Sequence, residues 1–83
     1  MHVHRFVGST TIDHISFDET NATLTVTFHD SGRYVYFHVS HRVYEEFCRA
    51  TSPGSFLNSH IKGCFGYKFD PARRRFGPKA SRM

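Results

Sequence analysis

Gly32-Arg33-Tyr34-Val35-Tyr36-Phe37-His38-Val39 is the stretch whose reading decides the fold. If it is extended, its side chains alternate, with Tyr34, Tyr36 and His38 on one face and Val35, Phe37 and Val39 on the other. These are aromatic, imidazole and β-branched side chains, the types that a pleated and buried strand accepts. A strand that is bulky on both faces belongs inside a sheet rather than at its edge. The segment therefore predicts the hub of a small fold, entered through a turn at Asp30-Ser31-Gly32 and left through a helix start at Ser40.

Upstream, Thr23-Leu24-Thr25-Val26-Thr27-Phe28 is the cleanest alternation in the chain, with Leu24, Val26 and Phe28 on one face and three threonines on the other. His29-Asp30-Ser31-Gly32 suits a three-residue hairpin with a glycine bulge. That turn pairs His29 with Arg33, Phe28 with Tyr34, Val26 with Tyr36 and Leu24 with His38. Both tyrosines then join the core face, whereas a two-residue loop would send them to the other face. Farther back, Ile12, Ile15 and Phe17 mark another strand, and the Ile12-to-Ile15 spacing breaks the period of two, which predicts a bulge. Asp18-Glu19-Thr20-Asn21 is a turn. Met1 to Val7 alternates weakly and suits a short edge strand or an unpaired arm. His2 and His4 share one face of it, but with no third ligand beside them they read as a solvated terminus, not a metal site.

Downstream, Ser40 is a good N-cap, and Val43, Tyr44, Phe47, Cys48 and Ala50 follow at helical spacing. Thr51-Ser52-Pro53-Gly54 stops that helix, and Ser52 with Pro53 can start another as N-cap and first residue. Phe56, Leu57, His60, Ile61 and Cys64 form the second apolar stripe, while Asn58 and Lys62 share a different face. Residues 70–83 show no periodicity and are expected to be an irregular, mobile tail.

These elements predict one α+β domain over residues 1–69, followed by a basic tail over 70–83. The architecture expected is a three-stranded antiparallel meander near 11–18, 22–29 and 33–39, then helices near 41–51 and 53–63 packed on one face of the sheet. A chain of 83 residues is near the lower size limit for an unstapled core, and its nine Phe and four Tyr supply much of the area such a core needs. The expected core is Leu24, Val26, Phe28, Tyr36, Phe47, Phe56 and Ile61.

Charge is unevenly placed. Residues 1–59 hold four arginines against six carboxylates, a net −2, whereas residues 60–83 hold seven cations against Asp70 alone, a net +6. A cationic end attracts polyanions whatever the fold does. Cys48 and Cys64 lack CxxC spacing and read as reduced thiols. There is no bilayer-length apolar run and no segment resembling a signal peptide, so a cytoplasmic protein is expected.

The chain resembles the KTSC domain family over about Ser9 to Phe65. The resemblance rests on Ser9, Ile12 and Ile15, on Leu24-Thr25-Val26 with Phe28, and on Gly32-Arg33-Tyr34-Val35-Tyr36 with its central YxY. It continues through Val43-Tyr44, Ala50-Thr51-Ser52-Pro53-Gly54-Ser55-Phe56-Leu57-Asn58 and Ile61-Lys62. Ser40 stands where the family usually has Pro, and Leu57 where a second Phe is usual; each keeps the physical role of its position. The family comprises short bacterial or phage proteins and a module at the C-terminus of some lysyl-tRNA synthetases. The resemblance implies RNA binding only through that synthetase association, and it implies no reaction.

The function expected is a small accessory module without catalytic activity or cofactor, binding RNA or other single-stranded nucleic acid. Arg73, Arg74, Arg75, Lys79 and Arg82 would contact phosphates, with Phe76 stacking on a base. Lys62 and Asn58 on the second helix, and Arg33, Tyr34 and Tyr36 on the hub strand, would extend that surface. The tyrosines have two readings, as stacking platforms or as core, and the hairpin register favours the core. His14, His29, His38, His41 and His60 are candidate acids and bases, but no spacing forces any two together. The alternative function is a protein-interaction or inhibitor module using the sheet face and tail against an acidic partner. On that reading an uncovered Val35/Phe37 patch would serve a partner or a homodimer.

Overall fold

The structure, a computed structural model, describes residues 1–29 and 32–70. Residues 30–31 and the basic stretch at 71–83 lie outside the described residues, and with them the expectations of a turn at Asp30-Ser31 and of an irregular tail.

The chain forms β1 (His2–Arg5), β2 (Ile12–Asp18), β3 (Thr23–Phe28), β4 (Arg33–Tyr36), α1 (His41–Cys48), α2 (Pro53–Phe56), a π-helical turn (Leu57–Ile61) and β5 (Tyr67–Asp70). The strands make a single antiparallel sheet in the order β1-β2-β3-β4-β5. The α+β class is as expected, but the sheet has five strands where three were expected. The N-terminal segment is the edge strand β1 rather than an unpaired arm. At the other edge, β5 returns from the helices to pair with β4. The hub strand is thus flanked on both sides, as its two bulky faces require.

The bulge in β2 is present: Ile12 pairs with Phe28 and His14 with Thr27, so the register shifts between them. The extra residue turns both Ile12 and Ile15 into the core, where neither has exposed surface. Two expectations for β4 need correction. First, Leu24 pairs with Tyr36 and Val26 with Tyr34, two positions away from the register expected from the turn. A two-residue slide preserves the faces, so the tyrosines still point to the core side. Second, the strand ends at Tyr36 rather than Val39. His38 adopts a left-handed φ of 61°, which breaks the alternation, and Val39 swings into the core, where it is 1% exposed. Its amide donates to the Ala22 carbonyl at 2.9 Å.

Ser40 caps α1 as its position predicts, its Oγ accepting from the Val43 amide at 3.2 Å. The helix ends at Cys48, short of the expected residue 51, and buries Tyr44 and Phe47 against the sheet. Tyr44 stacks on Phe17 (5.4 Å, 16°) and Phe47 on Phe6 (5.6 Å). Pro53 opens α2 as expected, although the Ser52 side chain makes no capping bond. The second helix is α-helical only to Phe56. Its ladder then widens, the Lys62 amide donating to the Leu57 carbonyl five residues back at 2.8 Å. Leu57 and Ile61 both reach the core.

Among the described residues, the buried side chains form one cluster on the helix-bearing face of the sheet. Of the expected core, Leu24, Val26, Tyr36, Phe47 and Ile61 are buried, whereas Phe28 and Phe56 sit half-buried at its margin. The opposite face carries His14, Ser16, Thr23, Thr25, Thr27 and Val35, and none of these is buried.

Candidate nucleic-acid interface

β4 and β5 pair so that Tyr34 faces Phe69 and Tyr36 faces Tyr67. All four rings project from the helix-bearing face, at the end of the sheet away from β1. Tyr34 is the centre of the group, with ring centroids 4.8 Å from Phe69, 5.4 Å from Tyr67, 6.2 Å from Tyr36 and 5.6 Å from Phe28. Tyr36 is buried and anchors the cluster, Tyr34 is half-buried, and Tyr67 and Phe69 are 60% and 44% exposed. Burial pushes the Tyr36 phenol above its ordinary value, with Tyr34 and Tyr67 adding to the effect. Like any phenol it is neutral around pH 7 and can donate a hydrogen bond.

The chain leaving the π-helical turn brings a cation to these rings. Lys62 has extended backbone, and Gly63 follows with φ 80°, a conformation that favours glycine. A cavity of about 420 Å³ is lined by Tyr34, Tyr36, Tyr67, Lys62 and Gly63. Exposed aromatic faces beside an exposed ammonium group are the elements that hold an unpaired base and its phosphate.

Of the residues singled out in the sequence, the fold brings Tyr34, Tyr36 and Lys62 together. Asn58 is exposed on the π-helical turn and is not part of the cavity lining. Arg33 is on the opposite face of the sheet, where its Nε donates to Asp70 Oδ2 at 2.8 Å. Arg73, Arg74, Arg75, Phe76, Lys79 and Arg82 lie outside the described residues. Sequence reasoning missed Tyr67 and Phe69; their signal was the alternation Tyr67-Lys68-Phe69-Asp70 between Gly66 and Pro71, submerged in the basic segment after it. The Val35/Phe37 patch is modest: Val35 is half-buried and Phe37 is 36% exposed beyond the end of the strand.

Of the candidate acids and bases, His14 and His29 do converge, on Asp13 at the β2 bulge. His14 Nδ1 donates to Asp13 Oδ2 at 2.7 Å, while Arg5 Nη1 and His29 Nδ1 lie 3.4 and 3.7 Å from Oδ1. The hydrogen bond from His14, with Arg5 and His29 adding, holds the Asp13 carboxyl below its ordinary value. The second ring nitrogen of His29 donates to the Ser9 carbonyl at 2.9 Å. These contacts tie the bulge to the loop before it. Cys48 and Cys64 are free thiols. Among the described residues no helix is long and apolar enough to cross a membrane.

A five-stranded antiparallel sheet with a helical layer on one face defines a small two-layer α+β module. The chain belongs to the KTSC domain family, whose sequence profile matches residues 8–65. The crystal structure of a KTSC domain protein from Yersinia pestis is similar to it, with a TM-score of 0.74 and 33% identity, covering 83% of this chain and 99% of that one. No curated protein matches the chain. The family match stops short of β1 and β5, so the exposed rings of Tyr67 and Phe69 lie outside it.

Proposed function

We propose that this protein is a non-catalytic module that binds single-stranded nucleic acid, RNA foremost. Bases stack on the Tyr34, Tyr67 and Phe69 surface, and Lys62 with the cationic residues after Asp70 takes the phosphates. The observation that carries this reading is the pair of exposed rings on β5 beside Lys62. The core does not need them, since Tyr36 already closes it at that end. Large exposed aromatics grouped on one surface mark a binding face. The net +6 over residues 60–83 supplies the attraction for a polyanion.

The test is a titration of a fluorescently labelled unstructured oligoribonucleotide, followed by anisotropy over a range of salt. Tyr67→Ala and Phe69→Ala should each weaken binding by about 1–3 kcal/mol without changing the salt slope, because stacking releases no counterions. Lys62→Ala should flatten the slope by about 0.7, the value of one phosphate contact on a single strand. Absence of binding at about 50 mM salt, or affinity indifferent to Tyr67→Ala, would remove this reading. The same surface would then be assigned to an acidic protein partner.

A further inference from the structure

We propose that His2, Glu19 and His41 form a binding site for a divalent transition-metal ion of the Zn²⁺, Co²⁺ or Ni²⁺ kind. The three residues come from three places in the fold: His2 from β1, Glu19 from the turn between β2 and β3, and His41 from the first position of α1. Their ligand atoms all lie within 4.8 Å of one another. Donors around a tetrahedral ion with bonds of about 2.0–2.1 Å sit roughly 3.3 Å apart. Closing onto an ion therefore takes small rotations, which side chains exposed by 42%, 60% and 43% can make. Two imidazoles and one carboxylate are the donor set such ions accept, and three protein ligands leave a coordination position for water or another ligand.

A second observation points to a ligand here. His2 Nε2 is shielded from solvent and makes no hydrogen bond, although Glu19 Oε1 is only 3.0 Å away. The shielded nitrogen thus faces a carboxylate oxygen at close range, as two ligands of one ion do.

The imidazoles are also held in place. The His2 ring lies 5.2 Å from His41 at 62°. Tyr44 packs at 5.9 Å from the first and 6.1 Å from the second, and Phe17 at 5.8 Å from His41. Both of those aromatics are buried, so the rings rest on a floor fixed by the core. Glu45 Oε2 is 3.7 Å from His41 Nδ1. Ligation through Nε2 would leave Nδ1 facing that carboxylate, the outer partner that metal-bound histidines commonly have. The bland reading of the same residues is two surface ion pairs, His2 with Glu19 and His41 with Glu45. It predicts no affinity for a cation. The site sits at the β1 edge, four strand spacings of about 4.8 Å from the rings on β5, so its failure says nothing about nucleic-acid binding.

The experiment uses tag-free, metal-stripped full-length protein titrated with Co²⁺, read by visible absorption, and with Zn²⁺, read by calorimetry and thermal melting. Expected are one equivalent of Co²⁺ with visible bands, its displacement by Zn²⁺, and a Zn²⁺-dependent rise in Tm, since an ion that binds only the folded chain stabilises it. His2→Ala, Glu19→Gln and His41→Ala should each weaken binding at least about tenfold and abolish the rise. His4→Ala, on the same face of β1, should bind as the unmodified protein does. Circular dichroism of each variant checks that the fold is retained. No bands or heat up to about millimolar cation, binding retained in Glu19→Gln or His41→Ala, or equal loss in His4→Ala would overturn the assignment.

Discussion

Phe47 has no exposed surface, and its ring meets Phe6 at 5.6 Å and Phe56 at 5.0 Å. It joins α1 both to the chain beyond β1 and to α2, so truncating it opens a cavity that neighbours on two sides cannot fill. Phe47→Ala should cost about 3–5 kcal/mol, a large share of the stability of so small a domain, measured by urea unfolding. A cost below about 1 kcal/mol would show that α1 presents a different face to the sheet. Its neighbour Tyr44 offers a pH test. Burial, with a hydrogen bond from its hydroxyl to Cys48, pushes the Tyr44 phenol up to about 12. A raised tyrosine pKa means that the folded state favours the neutral form. The associated stability is present below the unfolded value near 10 and is lost as pH rises through about 12. Ultraviolet titration should therefore show Tyr44 ionising well after an ordinary tyrosine, together with alkaline destabilisation over that window. His38 is the third informative residue. Its left-handed backbone is tolerated by histidine but strained for a β-branched side chain. His38→Val should destabilise by about 1–2 kcal/mol, while His38→Gly should be close to neutral, by the same unfolding measurement.

At the scale of elements, β5 is the strand with least to hold it. It has four residues, pairs on one side only, and keeps Tyr67, Lys68 and Phe69 exposed. Its cross-strand ion pair, Arg33 to Asp70 at 2.8 Å, is half-exposed on both sides. Pairs of that kind contribute about 0.2–1 kcal/mol, so Arg33→Ala should shift the unfolding midpoint only slightly. Hydrogen exchange should find β5 amides less protected than those of β3, which is paired on both sides. Little of this element was legible beforehand. A four-residue alternation is too short to stand out, and only the partner strand makes it one. The opposite held for α1, where Ser40 and the stripe of Tyr44 and Phe47 state the start and the buried face locally.

Over the whole molecule, the two edges of the sheet carry different chemistry. The β1 edge holds the imidazoles and Glu19, while the β5 edge holds the exposed rings and leads into the cationic stretch. Replacing Arg73, Arg74 and Arg75 by Ala should flatten the salt dependence of RNA binding by about two, since each phosphate contact on a single strand is worth about 0.7. The same change should leave the urea midpoint where it was, because Arg73-Arg74-Arg75 carries none of the apolar periodicity of a core segment. A salt slope untouched by the triple change would place the phosphate contacts elsewhere on the molecule.

By itself the sequence determined what local chemistry can state. The period of two over 23–28 and from Arg33 onward makes strands, the spacing of Ile12 and Ile15 demands the bulge, and Ser40 and Pro53 start the helices. The order of these signals also points to the KTSC family. Tertiary structure alone decided the β3–β4 register, because a slide by two residues leaves the same side chains on the same faces. It alone decided where β4 stops, because the alternation through Val39 is broken by the left-handed turn at His38 that accompanies the burial of Val39. The two sites proposed here are of that second kind. Lys62 meets Tyr67 only because β5 returns beside β4, and His2 meets Glu19 and His41 only because β1, a turn and a helix end at one corner. No spacing along the chain encodes such meetings, which depend on how separate elements pack.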